Sequence, residues 1–322
     1  MTDSLSRFLF EKRAVRGEIV QLEKSYQQIL ASYQYPAPIA RLLGELMAAA
    51  SLLTATLKFK GEIALQIQSE GLVKYAVING THEQKLRGVA RWDESVSDLP
   101  NDFQSLFKKG VLAITLAPFD GERYQGVVAL DQESLAACLE NYFLQSEQLL
   151  TKVYLSTRIN SQTSETNALG TDNSRASGNA SGTDNNLASG MLLQIVPQTS
   201  ETYQASENKD FEDLSVLANT ITDEELLGLP AQEIIRRLFH EEDVRLYQPQ
   251  EVVFECDCSK ARSAQALRNV PKSELLQIVQ EDGEIKMNCQ FCHTEYRFDA
   301  VDVENIHADN FSAFTEAGTI KH

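Results

Sequence analysis

Four of the five cysteines of the 322-residue chain stand in two close pairs near its C-terminal end. One residue separates Cys256 from Cys258, and two residues separate Cys289 from Cys292. Two such turns brought together supply four sulfur atoms, which is the ligand set of a closed tetrahedral zinc site. The sequence therefore predicts one Zn²⁺ per chain, bound by these four cysteines.

The first pair has a spacing that is unusual in zinc ribbons. Two residues apart in an extended segment, Cα atoms lie about 6.6 Å from each other, near the upper limit for a disulfide. A bridge between Cys256 and Cys258 is therefore feasible but strained, and strained bridges tend to be labile. Cys289 and Cys292 can close more easily. The four thiols can thus hold a metal or form two local disulfides, and an inert structural zinc site stays open as the alternative.

The elements around the four cysteines form a small domain, which we place at residues 251–308. A unit of this size rarely folds without disulfides or a structural metal ion. A structural zinc ion contributes roughly 10–16 kcal/mol of apparent folding free energy in small zinc-binding peptides. Loss of the metal should therefore unfold it. Its predicted parts are two short helices at 260–267 and 271–280, a strand containing Ile285 and Met287 that leads to Cys289, and Tyr296 and Phe298 packed beneath the metal. Residues 309–322 are expected to be a flexible tail.

Residues 1–205 are predicted to form a core of β-sheet with packed helices, so the expected fold class is α+β. A long apolar helix begins after Pro38 and ends near Leu57, and alternating apolar residues predict the strands that follow. The dipeptide Asn79-Gly80 is typical of a hairpin turn. Residues 4–34 are expected to be mixed helix and loop, with residues 13–20 as the candidate for a first strand. Cys138 is expected to be a buried core thiol.

Residues 160–187 interrupt this core with Ser, Thr, Asn, Gly and Ala in no periodic pattern. The segment contains most of a tandem duplication, in which nine of twelve positions agree between residues 167–178 and 179–190. We interpret it as a disordered low-complexity insertion in a hairpin loop.

Residues 206–250 follow as an acidic, helical linker. Thr222 and Glu225 predict a capping box, and Pro230 is typical of the start of another short helix. Helices this short need an outside surface on which to bury their apolar residues. We therefore expect a metastable layer wrapped onto the core rather than a separate domain.

The net charge of −17 is unevenly placed, because residues 201–322 hold 25 acidic and 11 basic side chains. Such an acidic part would be repelled by phosphate, which argues against nucleic acid as a partner. The chain begins without an apolar signal-peptide core, and the longest apolar run, residues 46–57, is too short to span a bilayer. We expect a cytoplasmic protein without membrane contact, whose thiols rest as metal-bound thiolates in a reducing compartment.

Several motifs resemble the heat-shock protein thirty-three family of bacterial redox-regulated holdase chaperones. They are Cys256-Asp-Cys-Ser, Glu281-Asp-Gly-Glu-Ile-Lys-Met-Asn-Cys289, Cys289-Gln-Phe-Cys292, Ala76-Val-Ile-Asn-Gly80, Leu86-Arg-Gly-Val-Ala-Arg91, Gly121-Glu-Arg-Tyr-Gln-Gly-Val-Val128, Tyr142-Phe-Leu-Gln-Ser-Glu-Gln148 and Gly190-Met-Leu-Leu-Gln194. The similarity covers nearly the whole chain except the insertion and the last dozen or so residues.

The resemblance implies an inactive reduced monomer with zinc on Cys256, Cys258, Cys289 and Cys292. Oxidation would then form the disulfides Cys256–Cys258 and Cys289–Cys292, release the zinc and loosen the linker. The exposed apolar surface would hold unfolding or oxidatively damaged client proteins during heat and oxidative stress, without ATP. The oxidised form would dimerise. The protein would not be an enzyme and would have no catalytic residue.

Other functions compete with this interpretation. A zinc ribbon that binds nucleic acid conflicts with the acidic charge. A thiol–disulfide oxidoreductase would need its C-x-x-C motif to open a helix, whereas a strand is expected after Cys292. A catalytic zinc would need an open position; His293 and Glu295 are near, but four thiolates already close the shell. Cys289 to His293 also match the C-x-x-C-H motif of covalent haem attachment, but the absence of a signal-peptide pattern argues against a haem protein. His82, His240 and His307 stand alone and are interpreted as surface or satisfied residues.

Overall fold

The computed structural model describes residues 3–56, 60–160, 185–196 and 204–314. Two compact units make up the chain, Met1–Phe254 and Glu255–His322. Each combines helices with β-sheet, which confirms the predicted α+β class.

The first unit contains two six-stranded sheets. The first sheet runs in the order β10 (Val244–Leu246), β1 (Ser4–Phe10), β2 (Val15–Leu22), β9 (Leu187–Ile195) and β8 (Thr151–Arg158), and β11 (Gln250–Glu251) also pairs with β1. The second sheet runs in the order β12 (Val253–Phe254), β5 (Lys85–Trp92), β4 (Val73–Thr81), β3 (Gly61–Gln68), β6 (Val111–Pro118) and β7 (Tyr124–Ala129). The helices of this core are α1 (Lys24–Leu30), α2 (Ala37–Thr56), α3 (Phe103–Leu106) and α4 (Leu135–Tyr142), which continues as a π-helix at Phe143–Glu147.

Helix α2 is the centre of this core, as its composition predicts. It contacts strands of both sheets, and its side chains Leu43, Leu46 and Met47 are fully buried. The helix is long and apolar enough to cross a membrane, but 83% of its most apolar window is buried inside the fold. Apolar residues all round a helix are therefore explained here by packing between two sheets.

The structure corrects two of the predicted elements. Ser4–Phe10 is a strand rather than mixed helix and loop, and it pairs with β2 on one side and with β10 and β11 on the other. Asn79-Gly80 lies inside β4, because the chain turns later, at His82 to Gln84. A Cβ on Gly80 would lie only 2.8 Å from Leu86 Cδ2, so this glycine permits close packing between β4 and β5 rather than a turn.

The low-complexity insertion joins β8 to β9, which pair antiparallel with Arg158 opposite Leu187. This confirms that the insertion lies in a hairpin connection. Residues 161–184, on which the prediction of disorder falls, are outside the described residues. At the base of the connection, the Asn160 backbone N–H donates to Asn186 Oδ1 at 2.7 Å.

The helical linker packs on one surface of the first sheet. Its helices are α5 (Gln204–Ala218), α6 (Asp223–Gly228) and α7 (Ala231–Leu238), and together with Phe239 they form what we call the linker layer. The sheet residues beneath it, here called the outer face, are Phe8, Phe10, Val15, Ile19, Met191, Leu193 and Ile195. The linker layer covers them with Phe211, Leu214, Ala218, Leu226, Ile234, Ile235, Leu238 and Phe239. The predicted capping box is present, since Thr222 and Glu225 exchange hydrogen bonds of 3.2 Å.

Two polar side chains of the core also hold the linker layer. The Arg13 guanidinium donates to the carboxylates of Asp210 at 2.8 Å and Glu242 at 2.7 Å. Hydrogen bonds to these two carboxylates raise the pKa of Arg13. The Gln21 side chain donates to the carbonyl oxygen of Leu229 at 2.7 Å, in the connection between α6 and α7. The linker layer is thus fixed near both of its ends and at its middle.

The second unit contains α8 (Lys260–Leu267), α9 (Lys272–Asp282), the hairpin β13 (Ile285–Asn288) and β14 (Glu295–Phe298), and α10 (Ala300–His307). Helices α8 and α9 and strands β13 and β14 agree with the predicted helices and strands, whereas α10 was not predicted. A 3-10 helix follows at Phe311–Phe314, and Phe314 is buried in the same small core as Phe298. The folded chain therefore continues past residue 308, where we placed the start of a flexible tail; residues 315–322 are outside the described residues.

Candidate metal centre

The structure brings the four predicted cysteines together in the second unit. Their sulfur atoms all lie within 4.8 Å of one another, and each side chain is half-buried. Between the two pairs, Cys256 Sγ lies 3.6 Å from Cys289 Sγ, and Cys258 Sγ lies 3.3 Å from Cys292 Sγ. Sulfurs of different pairs are therefore in direct contact.

The spacing of the sulfur atoms matches a tetrahedral site. Zinc–sulfur bonds of about 2.3 Å at tetrahedral angles separate the sulfurs by about 3.8 Å. The observed contacts of 3.3 and 3.6 Å lie close to this separation and well outside the length of a disulfide bond, about 2.05 Å. The four thiols thus fit a single Zn²⁺ with small adjustments.

Short local structures hold each pair. Ser259, directly after the first pair, caps α8 by accepting a hydrogen bond from the Arg262 backbone N–H at 3.2 Å. The second pair lies in the turn between β13 and β14, where the Cys289 backbone N–H donates to the carbonyl oxygen of Thr294 at 3.0 Å. His293 closes this turn with a left-handed backbone, φ 57°. The start of α8 and the turn between β13 and β14 therefore position the two cysteine pairs next to each other.

Two side chains of the hairpin contact the sulfurs directly. The Tyr296 hydroxyl donates to Cys258 Sγ at 3.2 Å, and Thr294 Oγ1 lies 3.2 Å from Cys292 Sγ. Tyr296 was predicted only to pack beneath the metal, together with Phe298, which is fully buried in the small core of the second unit. The contact of Thr294 was not predicted; its position two residues after Cys292 was the one available signal.

The local environment shifts the pKa values of three of these thiols in different directions. Burial raises the pKa of Cys256 and of Cys258. Burial also opposes ionisation of Cys292, but hydrogen bonds from the side chain and backbone of Thr294, together with those from Cys258 and Cys256, outweigh it and lower the pKa of Cys292 to about 7. Thiols must lose their protons to bind a metal, so metal affinity at this site should rise with pH.

The remaining candidate ligands stay outside this group. Among the described residues, the close ligand atoms are the four thiols alone, without His293 or Glu295, and the Glu295 carboxylate accepts from Arg297 at 2.7 Å. His240 is exposed, whereas His82 Nδ1 and His307 Nε2 are buried without a hydrogen-bond partner in the described structure. Cys138 is fully buried on α4, as predicted, and burial raises its pKa.

Taken together, the fold and this cluster define an α+β protein with a separate four-thiol module and a helical layer on its core. Comparison with known proteins agrees with this class. The family described as "Hsp33 protein" matches residues 3–299. The chain therefore belongs to the Hsp33 family, which is a family of chaperones.

Similar proteins span the same length. The "33 kDa chaperonin" of Pseudoalteromonas atlantica is 55% identical over 314 residues, covering 98% of each chain. The protein of the same name from Shewanella sediminis is 50% identical over 94% of this chain and 95% of its own. The crystal structure of the 33 kDa chaperonin from Thermotoga maritima superposes with a TM-score of 0.72 at 20% identity, over 96% of this chain and 99% of that one. The last comparison supports the fold.

Proposed function

We propose that the protein is a redox-regulated, ATP-independent holdase. Its reduced form is an inactive monomer with Zn²⁺ on Cys256, Cys258, Cys289 and Cys292. Its oxidised form has lost the zinc and the docked linker layer and binds unfolding or oxidatively damaged proteins. The observation that carries the proposal is a cluster of four oxidisable thiols within 4.8 Å, in a chaperone whose apolar outer face is covered by short helices.

The four cysteines would act first as ligands. Zn²⁺, when bound, would keep their sulfurs as thiolates and supply much of the folding free energy of this small unit. The unit has a limited apolar core, built mainly from Leu267, Leu275, Phe298, Val303, Ile306 and Phe314. Half-exposed sulfurs remain within reach of a small oxidant.

Under oxidative stress, the same cysteines would reduce peroxide and be oxidised in turn. In each pair, one thiolate attacks a peroxide oxygen and becomes a sulfenic acid while the other oxygen leaves as water. The second thiol of the pair attacks that sulfur, a disulfide forms, and a second water leaves. We assign the disulfides Cys256–Cys258 and Cys289–Cys292 from the family resemblance, so two peroxide molecules oxidise the whole site. Disulfide sulfurs are no longer thiolates, so the ligand set is lost.

The linker layer would then leave the core. Its three helices have 15, 6 and 8 residues, and isolated helices of such lengths are marginal in water. The layer therefore depends on burial against the outer face and on the contacts of Arg13 and Gln21. Oxidation acts a short way along the chain from this layer, because only strands β10, β11 and β12 and their connections lie between Phe239 and Cys256.

The exposed outer face would bind the client. Phe8, Phe10, Val15, Ile19 and Met191 are all at most 2% exposed while the layer covers them. A contiguous apolar patch of this kind favours association with other apolar chains. The same property supports dimerisation of the oxidised form. We place the protein in the cytoplasm, since a reducing compartment keeps the resting thiols free of disulfides.

Light scattering from a heat-unfolding client protein tests this proposal. Zinc-loaded reduced protein should leave client aggregation unchanged, whereas protein treated with peroxide at raised temperature should suppress it. Equal suppression by both samples would mean a chaperone whose zinc is structural only. No suppression by the oxidised sample would contradict the proposed function.

A further inference from the structure

The segment that connects the linker layer to the cysteine pairs adds strands to both sheets. We call Val244–Phe254 the strap. Its strand β10 pairs antiparallel with β1, with Leu246 opposite Phe8 and Val244 opposite Phe10. Its strand β12 pairs in parallel with β5. Because β1 and β5 are otherwise the end strands on these sides, the strap covers one edge of each sheet.

The strap follows β1 through backbone hydrogen bonds. The Tyr247 backbone N–H donates to the carbonyl oxygen of Arg7 at 2.9 Å, and the Glu11 backbone N–H donates to the carbonyl oxygen of Asp243 at 2.9 Å. In an antiparallel pair, successive N–H groups of one strand point alternately toward and away from the partner. The Leu246 N–H therefore points away from β1.

Side chains hold the strap only weakly. Leu246 is 37% and Tyr247 is 45% exposed. The ion pairs Lys12–Asp243 and Arg245–Glu11 are exposed to solvent, and such pairs contribute little to stability. Val252, at 2% exposure, is buried near the end of the strap, Val244 and Phe254 are partly buried, and the Gln250 side chain donates to the carbonyl oxygen of His82 at 3.2 Å. The β10 part of the strap is thus held mainly by its backbone and can leave without emptying much of the core.

The edge beneath the strap suits an extended polypeptide. Without β10, the backbone groups of Arg7, Leu9 and Glu11 would stand unpaired, and an unpaired strand edge is a template for another strand. Phe8 and Phe10 of the same strand belong to the outer face. Residues opposite each other in an antiparallel pair point to the same side of the sheet.

We propose that the strap occupies the client's place, and that the β1 edge, once the strap is released, takes up an extended segment of an unfolding polypeptide as a replacement strand. The segment that fits carries apolar residues opposite Phe8 and Phe10 and any residue between them. The strap itself has this pattern, as Val244-Arg245-Leu246. The inference rests on the proposed function, because it requires oxidation to release the strap.

Fluorescence anisotropy with a labelled peptide tests it. The peptide has the sequence of residues 242–254, and the full-length protein is titrated in its oxidised and in its zinc-loaded reduced form. Two matched peptides carry an N-methyl group, one on Tyr247 and one on Leu246. The oxidised protein should bind the unmodified and Leu246-methylated peptides alike, and the Tyr247-methylated peptide about tenfold more weakly, because one hydrogen bond is lost and the edge is blocked. The reduced protein should bind none of them.

Equal binding of the two methylated peptides would overturn the inference, because it would mean contact through side chains alone. Absence of peptide binding, or equal binding by reduced and oxidised protein, would overturn it as well. Light scattering from a client in the same oxidised sample reports separately on the proposed function. Suppressed aggregation without peptide binding refutes strand addition and keeps the holdase, whereas peptide binding without suppression supports strand addition and refutes the holdase.

Discussion

Helix α2 and the linker layer both bury apolar side chains against the first sheet, but only α2 is enclosed by a second sheet. The layer packs on one side, and its opposite surface leaves Val216 at 67% and Leu217 at 40% exposure. A helix enclosed on all sides cannot leave without dissolving the core. A layer held from one side can leave while the core stays folded, and this difference is what a conformational switch requires.

The two regions also differ in how their ends are fixed. Helix α2 is continuous with the core on both sides, whereas the linker layer is bounded by Arg13 contacts and by the strap. Both boundaries are polar or backbone contacts near the surface. Changes in α2 should therefore act on the whole fold, whereas changes in the linker layer should act locally.

The largest effect is expected for loss of a metal ligand. Cys289→Ser should abolish stoichiometric zinc binding and, since the metal contributes on the order of 10 kcal/mol to such units, leave the second unit unfolded even when reduced. Zinc content and limited proteolysis measure both effects: cleavage should fall in residues 255–314 while α2 stays protected. Cys138→Ala is the matched control, because this buried thiol is outside the cluster and its variant should keep zinc. Unchanged zinc content in the Cys289 variant would contradict the assignment.

Two buried leucines test the difference between α2 and the linker layer. Leu46 on α2 and Leu214 on α5 are both fully buried. Leu46→Ala should lower the global free energy of unfolding by about 2–5 kcal/mol in urea titrations. Leu214→Ala creates a similar cavity but should act locally, as faster hydrogen exchange in residues 204–239 with little change in global stability. A global loss from Leu214→Ala as large as that from Leu46→Ala would show that the layer and the core unfold as one.

A pH change should act on the core through Glu18. This carboxylate is 2% exposed, and burial raises its pKa from 4.5 to about 7. A folded-state pKa above the unfolded value means that the contribution to stability is complete below about pH 4.5 and is lost as pH rises through about 7. Glu18→Gln should therefore raise stability at about pH 8, by up to about 3 kcal/mol, and change little at about pH 4.

Thermal unfolding at several pH values measures the effect of Glu18→Gln. Glu122→Gln, in the exposed turn before β7, is the control and should leave the pH profile unchanged. A Glu18 variant whose profile parallels that of the unchanged protein would rule out burial of an ionised carboxylate as the cause.

The smallest effect is expected at the polar attachment of the layer. Arg13→Ala removes half-buried ion pairs to Asp210 and Glu242 and should weaken docking of the layer by about 1–3 kcal/mol. Arg245→Ala removes only an exposed pair with Glu11 and should cost below about 1 kcal/mol. The peroxide concentration needed for half-maximal chaperone activity reports the difference, and it should fall for Arg13→Ala. An equal threshold in both variants would mean that Arg13 does not hold the layer.

Local patterns in the sequence were sufficient for much of the fold. The buried helix at Ala37–Thr56, the capping box at Thr222 and the strand leading to Cys289 each depend on residues within one element. The two cysteine pairs were likewise visible from spacing, and the structure brings them within 4.8 Å.

Features that depend on distant partners were missed. Strand β1 was missed because its apolar alternation is irregular; β2 follows it closely in sequence, but β10 and β11 on its other side come from the far end of the unit. The Arg13 ion pairs join residues 197 and 229 positions apart, so no local pattern indicates them. At the thiol cluster, the Thr294 contact that lowers the pKa of Cys292 depends on the geometry of the hairpin turn.

Hydrogen exchange of the zinc-loaded reduced protein and of the peroxide-oxidised protein, read segment by segment, tests the central claim most directly. Release of the linker layer predicts that amides in residues 204–239 lose their protection on oxidation, while those of α2 and of strands β3 to β6 keep theirs. Unchanged protection of residues 204–239 in the oxidised protein would contradict the account, because the outer face would then stay covered.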